Sequence, residues 1–298
     1  MKKASTYKQQ DRAQIHPIVN WQDHELGDSL SYAYRSTIYN SNTFPSSLHY
    51  HDYYELVILE SGNIEYICES VRFQPKPADV LLVSPGMFHM SKIGCEETCY
   101  KRHVFYLYPD ALDMLGCGAL TSFIQNAEPG LTVFSLQEND QTTLFSLLHQ
   151  LSDALDKKAL PAYQALAKGL VIQIFFLLGK GEGTLGSQAL TLPNTLLSIK
   201  QYIEENLTEI SSVKEIADHF FFSREYISRI FRKHFNTTIS EYIQKRRIAY
   251  SQSLIEQGCS IGESCYQAGF ENMSTYIRSF KSVLSMTPSE YRKKIKKA

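Results

Sequence analysis

Three histidines and a glutamate stand at spacings that could gather them around one ligand. His49-Tyr50-His51, Glu55 and Gly62 follow the pattern H-x-H-x3-E-x6-G, and Pro85-Gly86-Met87-Phe88-His89 adds a third histidine after a tight turn. Residues two apart on a strand point to one face, so His49, His51 and Glu55 share a side if the strand is regular. With His89 from a neighbouring strand, three imidazoles and one carboxylate could converge on a divalent ion. The same groups could instead hydrogen-bond a small organic ligand, or one another. Tyr39, Tyr50, Tyr53 and Tyr54 offer aromatic faces that suit a sugar, though tyrosine is equally a core and strand residue.

A second set of residues suits DNA chemistry. Ser212-Val213-Lys214-Glu215-Ile216-Ala217 returns 48 residues later as Ser260-Ile261-Gly262-Glu263-Ser264-Cys265, and 227–232 returns at a spacing of 49 as 276–281. Such an echo implies two copies of one helical module. Each copy opens with a predicted capping box, Ser212 with Glu215 and Ser260 with Glu263. Ser223 is a good N-cap for a second helix over 224–235, with Ile227, Ile230, Phe231 and His234/Phe235 as its buried stripe. Arg224, Glu225, Ser228, Arg229 and Arg232 then face outward. Their counterparts in the second copy are Met273, Ser274, Thr275, Ile277, Arg278 and Lys281. Arg229 and Arg278 hold equivalent places; an arginine bidentate to guanine discriminates, whereas a phosphate contact only adds affinity.

The elements that must position these residues fall in order. Short runs rich in Tyr, Val and Ile at 32–39, 56–60, 63–68, 79–83 and 100–108, divided by turn signals, read as strands of a sandwich or small barrel. The period changes near Gln137: Leu144, Leu147, Leu148, Leu151 and Leu155 repeat as one face of a helix. A second helix begins after Pro161 and ends in an all-apolar stretch that must be buried, on the β domain or at a subunit interface. Four glycines between Gly179 and Gly186 mark a flexible linker. The expected division is therefore 1–136 for an arm and β domain, 137–180 for a helical dimerisation segment, 181–192 for the linker, and 193–298 for the DNA-binding part.

Charge supports that division. Residues 194–298 hold 16 basic and 11 acidic side chains, whereas the remainder holds 14 and 20. A basic half beside an acidic one fits a nucleic-acid-binding module joined to something else. Six cysteines (68, 95, 99, 117, 259, 265) show no framework spacing. Cys95 and Cys99 near His89 and His103 match no strong zinc pattern. The opening Met1-Lys2-Lys3 lacks the apolar core of a signal peptide, and no purely apolar stretch is long enough to span a bilayer, so the expected location is cytoplasmic, with no membrane partner.

The two histidine segments resemble the two motifs of the cupin family, a small double-sheet β-barrel, over roughly 100 residues. That resemblance implies a barrel sensing a small molecule, with or without a metal at His49, His51, Glu55 and His89. Residues 194–298 resemble the AraC-type family of bacterial transcription regulators. The residues that carry this are Glu215-Ile216-Ala217, Ser223, Ile227-Ser228-Arg229, Phe231-Arg232, Tyr242, Arg247-Ile248, Ala268-Gly269-Phe270, Arg278, Phe280-Lys281 and Thr287-Pro288-Ser289-Glu290-Tyr291-Arg292. The resemblance implies two recognition helices, held apart by a helix over about 240–257, that read successive major-groove faces ~34 Å apart. Three departures stand out: Asn236 in place of glycine, Ser264-Cys265 in place of Ile-Ala, and Ser251 in place of alanine. Asn236 tolerates a left-handed turn; Ser264 is expected to weaken an apolar contact inside the second unit.

The expected protein is multidomain, an all-β cupin-like barrel with appended helices followed by an all-α double helix-turn-helix. It is a homodimeric regulator of a metabolic or transport operon. Its partners are double-stranded DNA at promoter half-sites, a small-molecule effector such as a carbohydrate, and RNA polymerase if it activates. A ligand-independent regulator whose barrel only dimerises, and a metal-dependent cupin enzyme, are the rival readings.

Overall fold

A computed structural model describes residues 19–26, 30–39, 48–93, 98–108, 121–127, 130–157, 161–184 and 190–295. Cys95, Cys117 and most of the expected N-terminal arm lie outside them. Two compact units meet in sequence between Thr191 and Leu192.

The first unit is built on two antiparallel sheets. Its strands are β1 (Val19–Glu25), β2 (Leu30–Tyr39), β3 (Tyr54–Ser61), β4 (Ile64–Cys68), β5 (Val71–Phe73), β6 (Val80–Val83), β7 (His89–Ile93), β8 (Thr98–Leu107), β9 (Leu131–Ser135), β10 (Glu182–Thr184) and β11 (Leu190–Thr191). The larger sheet runs β1-β2-β8-β3-β6-β9-β10, and the smaller β11-β5-β4-β7. Strand β1 falls within residues 1–28, whose polar, irregular sequence fits an N-terminal arm; it gains its place by pairing along β2, Trp21 opposite Arg35.

Among the described residues the expected barrel is not closed: the two sheets are separate ladders, with one isolated bridge between His49 and His89. The larger sheet is buried on both faces, and alternation divides them. Val57, Leu59, Leu81, Val83, Val104 and Val133 face the smaller sheet, packing with Ile64, Tyr66, Cys68 and Phe73. Leu56, Ile58, Val80, Leu82, Phe105 and Phe134 face helices instead. Continuous apolar runs such as Leu56–Leu59 and Val80–Val83 are the sequence mark of such two-sided burial.

The helices on that second face are α2 (Glu138–Asp156) and α3 (Pro161–Leu178), after a short α1 (Ser122–Gln125). Helix α2 buries Leu144, Leu148, Leu151 and Leu155, as the leucine period requires. Helix α3 is long and apolar enough to cross a membrane by length and composition, yet it packs Leu170, Val171, Ile174 and Phe175 into the sheet's core. It is not buried all round: Leu166, Ile172 and Phe176 are 48%, 38% and 59% exposed.

Part of the segment read as a flexible linker is strand. Glu182–Thr184 pairs with β9, and Leu190–Thr191 with β5. The chain leaves α3 beside an open sheet edge whose unpaired N–H and C=O groups accept another strand. Gly181 allows the approach, since a Cβ there would meet Leu136 and the Leu178 carbonyl at 3.2 Å.

The second unit is all helix: α4 (Asn194–Glu205), α5 (Val213–His219), α6 (Arg224–Phe235), α7 (Ile239–Glu256), α8 (Ile261–Gln267), α9 (Met273–Leu284) and α10 (Pro288–Ile295). Helices α5 and α6 form one helix-turn-helix, α8 and α9 the other, and α7 joins them. Ile227, Phe231 and Phe235 bury one side of α6; Tyr276, Phe280 and Leu284 do so for α9.

Candidate functional site

His49, His51, Glu55 and His89 are brought together, with one ligand atom from each within 4.8 Å of the others. The larger sheet supplies Glu55 from β3 and the smaller sheet His89 from β7, so the cluster spans the space between sheets. Strand alternation is not what gathers them. The chain bends over 52–53 before β3 begins. Within that bend His51 Nδ1 lies 2.8 Å from the Tyr53 carbonyl, and His89 Nδ1 lies 2.9 Å from the Met87 carbonyl. A carbonyl only accepts, so both Nδ1 atoms carry hydrogen and donate. Both Nε2 atoms then point at one oxygen, Glu55 Oε2, at 2.9 and 3.0 Å.

Burial alone would raise the Glu55 carboxyl, but hydrogen bonds from His51 and His89, with their charges, hold it well below the usual range. The carboxylate is therefore ionised and needs positive partners. The two Nε2 atoms point at it, and a divalent ion held by the same atoms would meet its charge. Backbone carbonyls on Nδ1 are the orientation that metal-ligating histidines need. The donor set fits a divalent ion.

The tyrosines divide. Tyr53 stacks on His51, centroids 3.9 Å apart and planes within 6°, and Tyr50 packs on Phe88. Tyr54 belongs to the other face of the larger sheet, against the helix-side core, because it follows Tyr53 by one residue. The Tyr39 side chain lies outside the described residues.

Eight of the eleven helix-turn-helix residues expected to face outward are exposed and three are half-buried. Arg224, Glu225, Arg229 and Arg232 on α6 are exposed and Ser228 is half-buried; Ser274, Ile277, Arg278 and Lys281 on α9 are exposed, with Met273 and Thr275 half-buried. Arg229 lies 5.8 Å from the centroid of the Tyr226 ring. Arg278 lies back along its own helix toward the Ser274 carbonyl at 3.4 Å. Ser223 caps α6 through the Tyr226 N–H, and Asn272 caps α9 through the Thr275 N–H. The second capping box is complete, Ser260 and Glu263 each accepting from the other's backbone. In the first, Ser212 accepts from Glu215, but the Glu215 carboxylate reaches one residue further, to the Ser211 N–H and hydroxyl at 3.0 and 2.9 Å.

Polar contacts seat both halves on α7, through Tyr242 and Arg247 of the family pattern and through Glu204, Gln244 and Arg246, which the sequence does not single out. Glu204 accepts from the Tyr242 hydroxyl at 2.6 Å and from Arg246 Nε at 2.5 Å. Arg247 donates to the Leu207 and Ile210 carbonyls at 2.9 and 2.7 Å. Gln244 donates to Ser279 of α9 at 2.5 Å. Ser264, expected to weaken the second unit, is fully buried with its hydroxyl donated to the Ser260 carbonyl of its own helix at 2.9 Å.

Known proteins share both parts. A family model described as an AraC-like ligand binding domain matches residues 32–175, and one described as a helix-turn-helix domain matches 216–294. The chain is 23% identical to the HTH-type transcriptional activator RhaR of Mannheimia succiniciproducens over 83% of this chain and 87% of that one. It is 25% identical to the uncharacterized HTH-type transcriptional regulator YbfI of Bacillus subtilis, over 78% of this chain and 80% of that one. The Msm operon regulatory protein of Streptococcus mutans is 35% identical over 98 residues, 33% of this chain and 35% of that protein.

Proposed function

The chain is an AraC-family DNA-binding transcription regulator with an N-terminal ligand-binding domain, and on that premise we propose that it is a homodimer whose grip on promoter half-sites is set by a small polar molecule at the His49–His51–Glu55–His89 cluster. Regulators of this family are not enzymes, so the cluster senses and does not turn over substrate.

One observation carries the reading: α6 and α9 are equivalent helices with matched caps, matched buried stripes and matched outward arginines. Helices so presented suit the major groove. Arg224, Glu225, Ser228, Arg229 and Arg232 form the first reading face. Met273, Ser274, Thr275, Ile277, Arg278 and Lys281 form the second.

At the other end, imidazole donors, an ionised carboxylate and the stacked Tyr53 ring suit a hydroxyl-rich ligand such as a sugar. A divalent ion at His49, His51, Glu55 and His89 would supply a fixed positive charge there. Leu166, Ile172 and Phe176 lie along one exposed stripe of α3, with open space at Gly169 between them. This stripe is the proposed contact with the second copy. The ligand acts by population shift, through different affinity for two arrangements of the dimer.

A thermal-shift screen of sugars against the full chain, with and without added Zn²⁺, tests the sensing. A hit should raise the melting temperature in proportion to log concentration, lose that effect in His51→Ala, and change DNA affinity at fixed salt. A protein that binds its promoter tightly and equally with every compound would instead be the ligand-independent regulator.

A further inference from the structure

We propose that Glu60, His103 and His149 form a second divalent-cation site, of the zinc type, that fastens α2 to strands β3 and β8 on the helix-facing side of the larger sheet. It is separate from the cluster around Glu55. Glu55 and Glu60 stand five residues apart on β3, an odd number, and so point to opposite faces.

Each of the three residues offers one ligand atom, all within 4.8 Å of one another. His103 is fully buried, and its Nε2 has no hydrogen-bond partner; neither has Glu60 Oε2. The two atoms face each other at 3.4 Å. That is too long for a good charge-assisted hydrogen bond, which falls near 2.7–2.9 Å. It does equal the edge of a tetrahedron whose ligands stand about 2.1 Å from a central zinc. His149 Nε2 lies 4.0 Å from the other oxygen, Glu60 Oε1, and completes a triangle of two imidazoles and one carboxylate. The fourth position is left for water.

The buried Tyr32 of β2 and the half-buried Ser152 of α2 hold His103 in place. The Tyr32 hydroxyl lies 2.6 Å from His103 Nδ1 and 2.8 Å from the Ser152 hydroxyl of α2. In the tautomer with Nδ1–H donating to Tyr32, and Tyr32 to Ser152, the lone pair of Nε2 faces the Glu60 carboxylate, and a cation between the two acceptors satisfies both. In the other tautomer the Nε2 proton faces Glu60, and the cation takes that proton's place. The Tyr34 ring lies 4.9 Å from His103, and its hydroxyl hydrogen-bonds the Glu60 carboxylate and helps to orient it. The ligands come from β3, β8 and α2, so metal here would stiffen the seat of α2, the helix next to the exposed stripe of α3.

The test uses the full chain, stripped with chelator and titrated with Co²⁺ while visible absorption and bound equivalents are recorded. Each ligated Co²⁺ in a low-symmetry N/O site should give d–d bands. His149→Ala, on a side chain 60% exposed and so harmless to folding, should remove one equivalent and its bands. Glu60→Gln should do the same, whereas His51→Ala, in the other cluster, should leave that equivalent in place. Zn²⁺ should raise the melting temperature of His51→Ala by several degrees and leave that of the His51→Ala/His149→Ala double variant unmoved. Three results would overturn the proposal: no metal bound by the folded parent, an unchanged stoichiometry in His149→Ala, or binding lost in His149→Ala but kept in Glu60→Gln, which is adventitious binding at a surface histidine.

Discussion

The two helix-turn-helix units share a pattern and differ at the turn. Phe221 and Gly269 are equivalent, and both are left-handed, with φ of 56° and 81°. Gly269 accepts this freely and lies against the backbone of the 207–210 loop: a Cβ there would meet the Thr208 carbonyl at 2.6 Å and its Cα at 2.8 Å. Phe221 pays the steric cost of that conformation and is 95% exposed. The recognition helices then end alike, Asn236 and Ser285 both left-handed at φ 48° and 55°. One backbone plan has thus been filled twice, under different constraints. The second turn is locked by close packing; the first is open to solvent and strained. The second unit, expected to be the looser because of Ser264, has the more tightly packed turn and the complete capping box. What distinguishes the first is charge, since Arg224, Arg229, Arg232 and Lys233 lie on α6 and only Arg278 and Lys281 on α9.

The sharpest way to break this contrast is at the turns. Gly269→Ala should lower stability by roughly 2–4 kcal/mol, combining overpacking with left-handed strain. Thermal melts of the full chain would read it, and an unchanged melt would mean that the Thr208 contact is not tight. At the equivalent place Phe221→Gly should act in the opposite direction, stabilising by about 1 kcal/mol through relief of strain. If it destabilises instead, the exposed ring has a partner within the chain.

Charge comes next. Arg229→Ala should reduce the slope of log affinity against log salt by about 1, if the arginine meets phosphate, and Arg278→Ala by less. Equal slopes for the two variants, measured on one promoter fragment, would refute the idea that the first unit carries more of the electrostatic affinity. Caps should give a smaller effect. Ser260→Ala is expected to cost about 1 kcal/mol and Ser212→Ala about half of that, because the first box is shared with Ser211. Matched chemical denaturation of the two variants decides it. Smallest of all is Ser264→Ala, within about 0.5 kcal/mol of the parent, since the hydroxyl donates to a carbonyl of its own helix.

Much of the fold was legible because its signals are local. Capping residues act three positions away, Gly269 and Asn236 mark two of the left-handed turns (Phe221 and Ser285 carry no such mark), and the leucine period of α2 names its own buried face. The strands around Leu56–Leu59 and Val80–Val83 are legible as strands, but strand spacing fits a sandwich and a small barrel equally, and what covers the second face of an unbroken apolar run lies elsewhere in the chain. The glycines after α3 were legible as a break and not as strands, because pairing depends on which edge lies within reach.

The amino-acid sequence by itself determined two copies of a capped helix-turn-helix, with their outward arginines, and a set of histidines fit for ligand chemistry. Tertiary structure alone decided that the described strands form two separate sheets, that Tyr53 and Tyr54 go to different faces, and that His51 and His89 share one oxygen of Glu55. It also brought Glu60, His103 and His149 together from three elements. The division has one physical cause. Caps and helix faces rest on neighbours a turn apart, whereas a convergent site rests on strand register and sheet packing, which join residues remote in the chain.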